Sequence, residues 1–341
     1  MNKKKMNTSS LYIIPLAVGY AIVALASLSI GRYGVGISDI IKILLSRILP
    51  IESTWTMQAE AAILSIRLPR IIASTLVGGG LALSGLVMQQ VFHNPMVSPD
   101  VLGTSSAAGF GAALAMVLAL PSALISPIAF CFGLISIALV YLVASKVPNN
   151  HVLGLVLGGI MISSLFSSLL SFVKLMADPE DTLPSITYFL MGSLSGVGID
   201  DIKKVGLLII LSSLMLYLLS WRISLLSLHD SESRSIGVNT KLLRSMVIIF
   251  TVLIVAASVS ISGVIGWVGL VIPHITRMIM GCNTKKTIPS ALLLGAIFLT
   301  IADTISRTIA FSEIPIGIIT GLIGAPFFLY LIVREGRRSD G

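Results

Sequence analysis

The chain has 341 residues, 55% hydrophobic and 11% charged, with a formal net charge of +8. A soluble domain carries roughly 25% charged residues, so this composition, with its mean hydropathy of +0.99, excludes a water-soluble globule and makes lipid the main solvent. The long unbroken apolar runs exclude a transmembrane barrel, whose strands alternate over short segments, and the positive excess reads as the basic bias of cytoplasmic loops rather than as a nucleic-acid surface.

Ten apolar runs of about the twenty residues needed to cross a bilayer are read at 11–30, 62–91, 100–120, 122–145, 151–173, 204–222, 242–262, 264–280, 287–310 and 315–333. The expected fold is all-α, a single polytopic membrane domain over 1–341 with about ten transmembrane helices. The chain opens on the basic MNKKK, and the first run contains Ala24-Leu25-Ala26, which faintly resembles a signal-peptidase site; the run is long for a signal peptide and is read as a retained span. Between the first two spans, Ser38 stands as an N-cap ahead of apolar residues at helical spacing, which predicts an amphipathic surface helix over about 38–49. Cys131, inside a span, and Cys282, in a polar connection, suggest no disulfide framework. The connection 174–203 predicts a short helix lying across one mouth of the bundle. The loop 223–241 places two apolar clusters around a polar centre, with Gly237 ending a short helix. At Ser262-Gly263 the apolar stretch breaks, which predicts a tight turn or a half-inserted segment. The chain closes on the basic REGRRSDG.

Basic ends put both termini in the cytoplasm, and an even span count agrees with that. The same orientation places 14 of the 23 Lys and Arg inside and gives net charges of +9 inside and −1 outside. Arg67 and Arg70 then stand on the outer side, where the inside-positive bias gives them no reason to be, and Pro69 fixes the backbone between them. Two readings stand: interfacial snorkelling, or a surface that receives an acidic partner. Arg307 lies one helical turn after Asp303, so the two can pair along the helix, and Glu313 follows closely enough to compete.

Ionisable residues are scarce within the spans, Asp303 being the main exception, which argues against a self-sufficient secondary carrier. No G-x-x-x-x-G-K-[ST] loop occurs, so the chain does not hydrolyse ATP by that chemistry. No paired nucleophile and base or metal motif speaks for an intramembrane enzyme, and neither a cofactor nor a metal is expected in this chain. His229 and His274 are read as surface or hydrogen-bonding residues, with His274 and Arg277 at the inner end of the eighth span. The small-residue pairs Gly154/Gly158 and Gly317/Gly321 allow close helix packing, within one subunit or between two.

Four long blocks carry more than composition. They are RLPRIIASTLVGGGLALSGLVMQQVFHNPMVSPDVLGTSSAAGFGAAL, FLMGSLSG from Phe189, SGVIGWVGLVIPHITRMIMG from Ser262, and DTISRTIAFSEIPIGIITGLIGAPFFLYLI from Asp303, preceded by GRYGVGISDII. In this order they resemble the ten-span permeases of binding-protein-dependent ATP-binding cassette importers for iron-siderophores, haem and cobalamin. The resemblance implies a permease subunit in the cytoplasmic membrane, paired with an identical or closely paralogous second subunit. It further implies two cytoplasmic ATPase subunits that bind ATP and Mg, and an extracytoplasmic substrate-binding protein. By the same resemblance Arg67, Arg70 and Arg307 receive glutamates of the binding protein. Leu225, Leu226, Leu228, Ser231, Glu232, Arg234, Ser235, Ile236 and Gly237 form the loop that docks into the ATPase. Gly158, Ser163, Ser167, Gly317, Thr320 and Gly324 are candidates for lining the path. Iron-siderophore is the expected cargo, with haem, cobalamin or an oxyanion as alternatives on the same scaffold.

Overall fold

The computed structural model describes residues 10–50, 52–147, 151–226 and 239–339, and among them the secondary structure is entirely helical. Thirteen helices run through these residues as α1 Ser10–Ser29, α2 Ile37–Leu45, α3 Met57–Val91, α4 Thr104–Val117, α5 Ser122–Ala144, α6 His151–Met176, α7 Thr182–Leu190, α8 Ile199–Leu218, α9 Ser220–Leu225, α10 Thr240–Ser262, α11 Val268–Met280, α12 Thr284–Thr308 and α13 Ile316–Ser339. Among the described residues five helices are long and apolar enough to cross a membrane: α3, α5, α6 from Val152, α10 and α12. Shorter apolar stretches occupy α1, α4, α11 and α13. The remaining predicted span, at 204–222, is α8; it starts earlier, on Asp200 and Asp201, and stops at Leu218 before the separate α9.

Two predicted spans are helical for only part of their length. The third, read at 100–120, is helical only over Thr104–Val117, because 92–103 runs back into the bundle as irregular chain. Its placement follows from contacts: a β-carbon at Gly159 of α6 would strike the Val101 carbonyl, and one at Gly269 of α11 would strike the Pro99 ring. Gly103 takes a positive φ of 72°, and Asp100 Oδ1 accepts the Ser105 amide at 2.6 Å, so the carboxylate caps the first turn of α4. The eighth span breaks where the sequence does. Gly263 has φ 65°, and 263–267 crosses as non-helical chain before α11 begins. Irregular backbone at membrane depth is tolerated where protein surrounds it: 99–101 lies against α6 and α11, and 263–264 against the end of α7 and the start of α13.

Packing is closest where glycines meet. Helices α3 and α12 form the most extensive pair and cross at Gly78 and Gly295, each placed so that a β-carbon would meet the other's carbonyl oxygen. Gly85 of α3 sits on the carbonyl of Gly269 in the same way. Such contacts let dispersion and Cα–H···O contacts supply the cohesion that the hydrophobic effect cannot supply between helices in lipid.

The chain lip at Arg67 is shaped by Pro69. A proline inside a helix clashes with the carbonyl four residues earlier, and here the turn before it, Ala62–Arg67, is π-helical, which relieves that clash within one continuous helix. Helix α2, where a surface helix was read over 38–49, buries Ile40 and Ile43 on Leu28, Ala59, Ile63 and Ile71, with Ile37, Ile41 and Leu45 exposed. Helix α7 follows an Asx turn in which Asp178 Oδ1 accepts the amides of Glu180 and Asp181. Both cysteines are free and exposed.

Candidate functional site

The two ends of the bundle differ chemically. One end, the arginine pole, gathers Arg67 from α3, Arg70 one turn further along it, Arg307 at the end of α12, Asp303 one turn before, and Glu313 in the loop to α13. All three arginines are buried, at 4%, 2% and 7% exposure respectively. A helix leaves its last carbonyls without intrahelical donors, and its C-terminus favours cations. Helix α1 ends at Ser29, and the arginines supply the missing donors. Arg67 Nη1 donates to Leu28 O at 2.5 Å and Ser29 O at 3.2 Å, and its Nη2 donates to Tyr33 O. Arg307 Nη1 donates to Ile30 O at 2.6 Å, and its Nη2 donates to Ser27 O and, at 3.0 Å, to Ser27 Oγ. Between the two guanidinium groups passes Gly31, where a β-carbon would collide with Arg67.

Arg70 carries the charge pairing. Its Nε and Nη2 donate to Asp303 Oδ1 at 3.1 and 2.8 Å, and its Nη1 donates to both Glu313 oxygens at 2.9 and 2.8 Å. Asp303 is 1% exposed, whereas the Glu313 side chain is 32% exposed. The helical-turn pair of Asp303 and Arg307 is present but longer, at 3.6 Å from Nε, and that Nε has no hydrogen-bond partner among the described residues. Glu313, expected to compete for Arg307, holds Arg70 instead. Three cations thus share two carboxylates, and the surplus charge rests on backbone carbonyls.

In this conformation all three guanidinium groups are buried on partners from their own chain, and none of the three is an exposed surface charge. Arg32 at this pole escaped the sequence reading; it is exposed and donates to Ala310 O at 2.7 Å and to Phe311 O. Its signal was the GRYG segment itself, just beyond the end of the first span. Beside the cluster's pole opens a cavity of about 850 Å³ whose wall carries Ser122, Ser126, Ser193, Ser195, Ser260 and Ser262. Its charged lining residues are Asp201 and Lys204, which pair at 3.4 Å.

At the opposite pole α9, the 92–97 segment and the start of α12 meet. Leu226 is buried and its carbonyl accepts from His93 Nε2 at 2.5 Å, and Ser224 Oγ donates to Thr284 Oγ1 at 2.7 Å. Arg277 donates to Gln89 Oε1, and Gln89 Nε2 donates to Val97 O at 3.2 Å. Leu225 and Leu226 of the candidate coupling loop thus sit on a ledge tied to the 92–97 segment and to the start of α12. Leu228, His229, Ser231, Glu232, Arg234, Ser235, Ile236 and Gly237 lie outside the described residues. Among the described residues no three metal-ligating side chains cluster.

The path candidates divide by exposure. Gly158 is packed on Val140 of α5, Gly324 on the Trp267 ring, and Thr320 is fully buried with its hydroxyl on Gly317 O at 3.2 Å. Gly317 rests on the Met191 carbonyl, and Ser163 Oγ meets Ser106 Oγ at 3.1 Å. Ser167 alone of the six is exposed. Gly154 and Gly321 likewise face neighbours of their own chain, Ala144 and Trp267.

A bundle of apolar spans with two half-helical members, polar ends and a hydroxyl-lined mouth is the build of a membrane permease. The chain belongs to the FecCD transport family, which it matches over residues 19–334. It is 40% identical to the molybdate import system permease protein MolB of Haemophilus influenzae, over 93% of either chain. It is 44% identical to a probable iron chelatin transport system permease protein of Helicobacter pylori, over 80% of this chain and 82% of the relative. A solved structure described as an inward-facing conformation of a putative metal-chelate type ABC transporter superposes with a TM-score of 0.86 at 37% identity, covering 95% of this chain and 99% of that one.

Proposed function

We propose that the chain is the permease subunit of an ATP-driven importer in the cytoplasmic membrane, with both termini in the cytoplasm, the arginine pole outside and α9 with the following loop toward two ATPase subunits. ATP and Mg bind those subunits, and a second permease subunit, identical or paralogous, completes the path. The observation that carries this reading is the asymmetry of the poles: one holds a cation cluster short of carboxylates, the other an anchored ledge leading into the loop 227–238. An incoming binding-protein carboxylate finds in Arg70 a guanidinium whose outer partner, Glu313, already reaches solvent, so exchange needs no burial of new charge. Cargo is a chelated metal compound, iron-siderophore first, or an oxyanion. Relatives named for molybdate and for iron chelatin support both, and a mouth walled by serine hydroxyls demands little desolvation of fixed charge. Reconstitution tests the reading: vesicles holding the permease with its ATPase subunits and a loaded binding protein accumulate cargo only with ATP, and cargo crossing through the permease alone overturns it.

A further inference from the structure

A lateral groove of about 430 Å³ opens on the side of the bundle between α1 and α8, with α3 and α12 as its other walls. Helix α1 packs on α12 and α3, and α8 on α10 and α3, which leaves the gap between them. Its walls are apolar apart from hydroxyls. Tyr20 and Thr75 satisfy each other at 2.5 Å, while Ser213 Oγ is buried on the wall with no partner among the described residues.

The α12 wall has a direction. Pro289, Leu292, Leu293 and Ala296 line the groove, and Lys285 precedes them by one turn on the same face, exposed at the pole of α9. From Lys285 to Ala296 the helix rises about 16 Å at 1.5 Å per residue, close to the depth of one leaflet of a hydrocarbon core about 30 Å thick. On the opposite wall Ile210, Leu214 and Tyr217 of α8 come before the break at Leu219, beyond which α9 carries Trp221, an exposed aromatic of the kind that sits at headgroup level. Arg222, beside it, is exposed too. The lining is thus apolar over about 10 Å of α12, with exposed Lys285, Trp221 and Arg222 beyond its end at the α9 pole and an unsatisfied hydroxyl along its wall.

We propose that this groove holds one acyl chain of an anionic glycerophospholipid from the leaflet at the α9 pole, with the phosphate at Lys285 and the glycerol region against Trp221. A zwitterionic lipid fits the groove but gains less from a cation at its end, because its own ammonium group offsets the phosphate, so net headgroup charge separates a site from ordinary solvation by the bilayer. The proposal rests on the membrane reading alone and stands whatever the chain transports.

The test uses the full-length permease in phosphatidylcholine nanodiscs doped with spin-labelled phosphatidylglycerol or phosphatidylcholine, reading the motionally restricted fraction. Wild type is expected to prefer phosphatidylglycerol by about fivefold, the factor one basic side chain carries near an anionic surface, and to lose the preference as salt rises. Lys285→Glu abolishes the preference and Lys285→Arg keeps it; both change an exposed side chain and leave the core intact. Leu293→Trp, filling the groove, lowers the restricted fraction of either lipid. Equal restriction of the two lipids in wild type, a preference untouched by Lys285→Glu, or a restricted fraction untouched by Leu293→Trp in folded protein each overturns the assignment.

Discussion

Two carboxylates hold Arg70, and their different burial predicts unequal losses when each is neutralised. Asp303→Asn removes the one charge that lies between Arg70 and Arg307, at 2.8 and 3.6 Å, in a site 1% exposed. Breaking a buried ion pair from one side leaves an uncompensated charge and costs about 3–5 kcal/mol. Arg70 retains Glu313, which puts the expected loss at the lower end, about 3 kcal/mol. Glu313→Gln removes a partner whose side chain is 32% exposed, so water replaces part of what is lost and the expected cost is about 1 kcal/mol. Equilibrium unfolding in detergent micelles measures both. Under the docking proposal Glu313→Gln also removes the internal competitor for Arg70, so a binding protein associates more tightly, about fivefold if the freed interaction matches the 1 kcal/mol lost internally. Asp303→Asn gives no such gain at matched folded fraction. Equal stability losses refute the assignment of Asp303 as the buried anchor, and unchanged association of Glu313→Gln refutes Glu313 as the exchangeable partner.

Gly78→Ala and Gly295→Ala each drive a methyl group into the facing carbonyl where α3 crosses α12, and each is expected to lower stability by about 1–3 kcal/mol in the same unfolding assay. Gly19→Ala, helical and in open space, marks the effect of the substitution itself. Under the proposed coupling to ATPase subunits, Leu228→Asp or Ile236→Asp is expected to leave ATP hydrolysis running while transport falls, since a charge disrupts an apolar docking contact. Hydrolysis and uptake that fall together would assign those side chains to assembly instead.

The spans were legible because their signal is additive. Twenty apolar residues announce a crossing whichever neighbours they meet, and α3, α5, α6, α10 and α12 follow from that alone. The half-helices were harder. Gly263 marks one break in the sequence, but the span read at 100–120 runs straight through Gly103, because the Pro99 and Val101 contacts that sink 92–103 into the bundle belong to α11 and α6, far along the chain. The arginine cluster shows the same division. Asp303 and Arg307 advertise their pairing by spacing, but Arg70 reaches Asp303 across 233 positions and Arg67 reaches Leu28 across 39. Nothing local states that α1 ends without donors of its own and takes them from two other helices. An arginine at a span's lip therefore reads as a surface charge until the acceptors below it are known. For the path candidates the obstacle is facing: helix position placed Gly158, Thr320 and Gly324 along their spans, and only packing tells which side of the helix each occupies.

The loop after Arg307 makes the cluster mechanically consequential. Ser306 Oγ donates to Ile314 O at 2.5 Å and Ile314 N donates back to Ser306 O at 3.1 Å, while Ile316 N and Gly317 N, the first amides of α13, donate to Gly192 O at 2.8 Å and Met191 O at 3.1 Å. Glu313 stands at the centre of this short strap, so its grip on Arg70 fixes the start of α13 and, through it, the end of α7. A carboxylate that took Arg70 from Glu313 would release the strap at its one charged anchor, and differential affinity for the released state is what lets a docked protein bias the helix behind it. Hydrogen exchange over 312–318 reads this directly. Protection at Ile316 and Gly317 is expected to fall when the binding protein docks, and to be low already in Glu313→Gln without it. Protection that is unchanged in both states would leave the cluster a static brace for α1, and the start of α13 would have to take its signal from elsewhere.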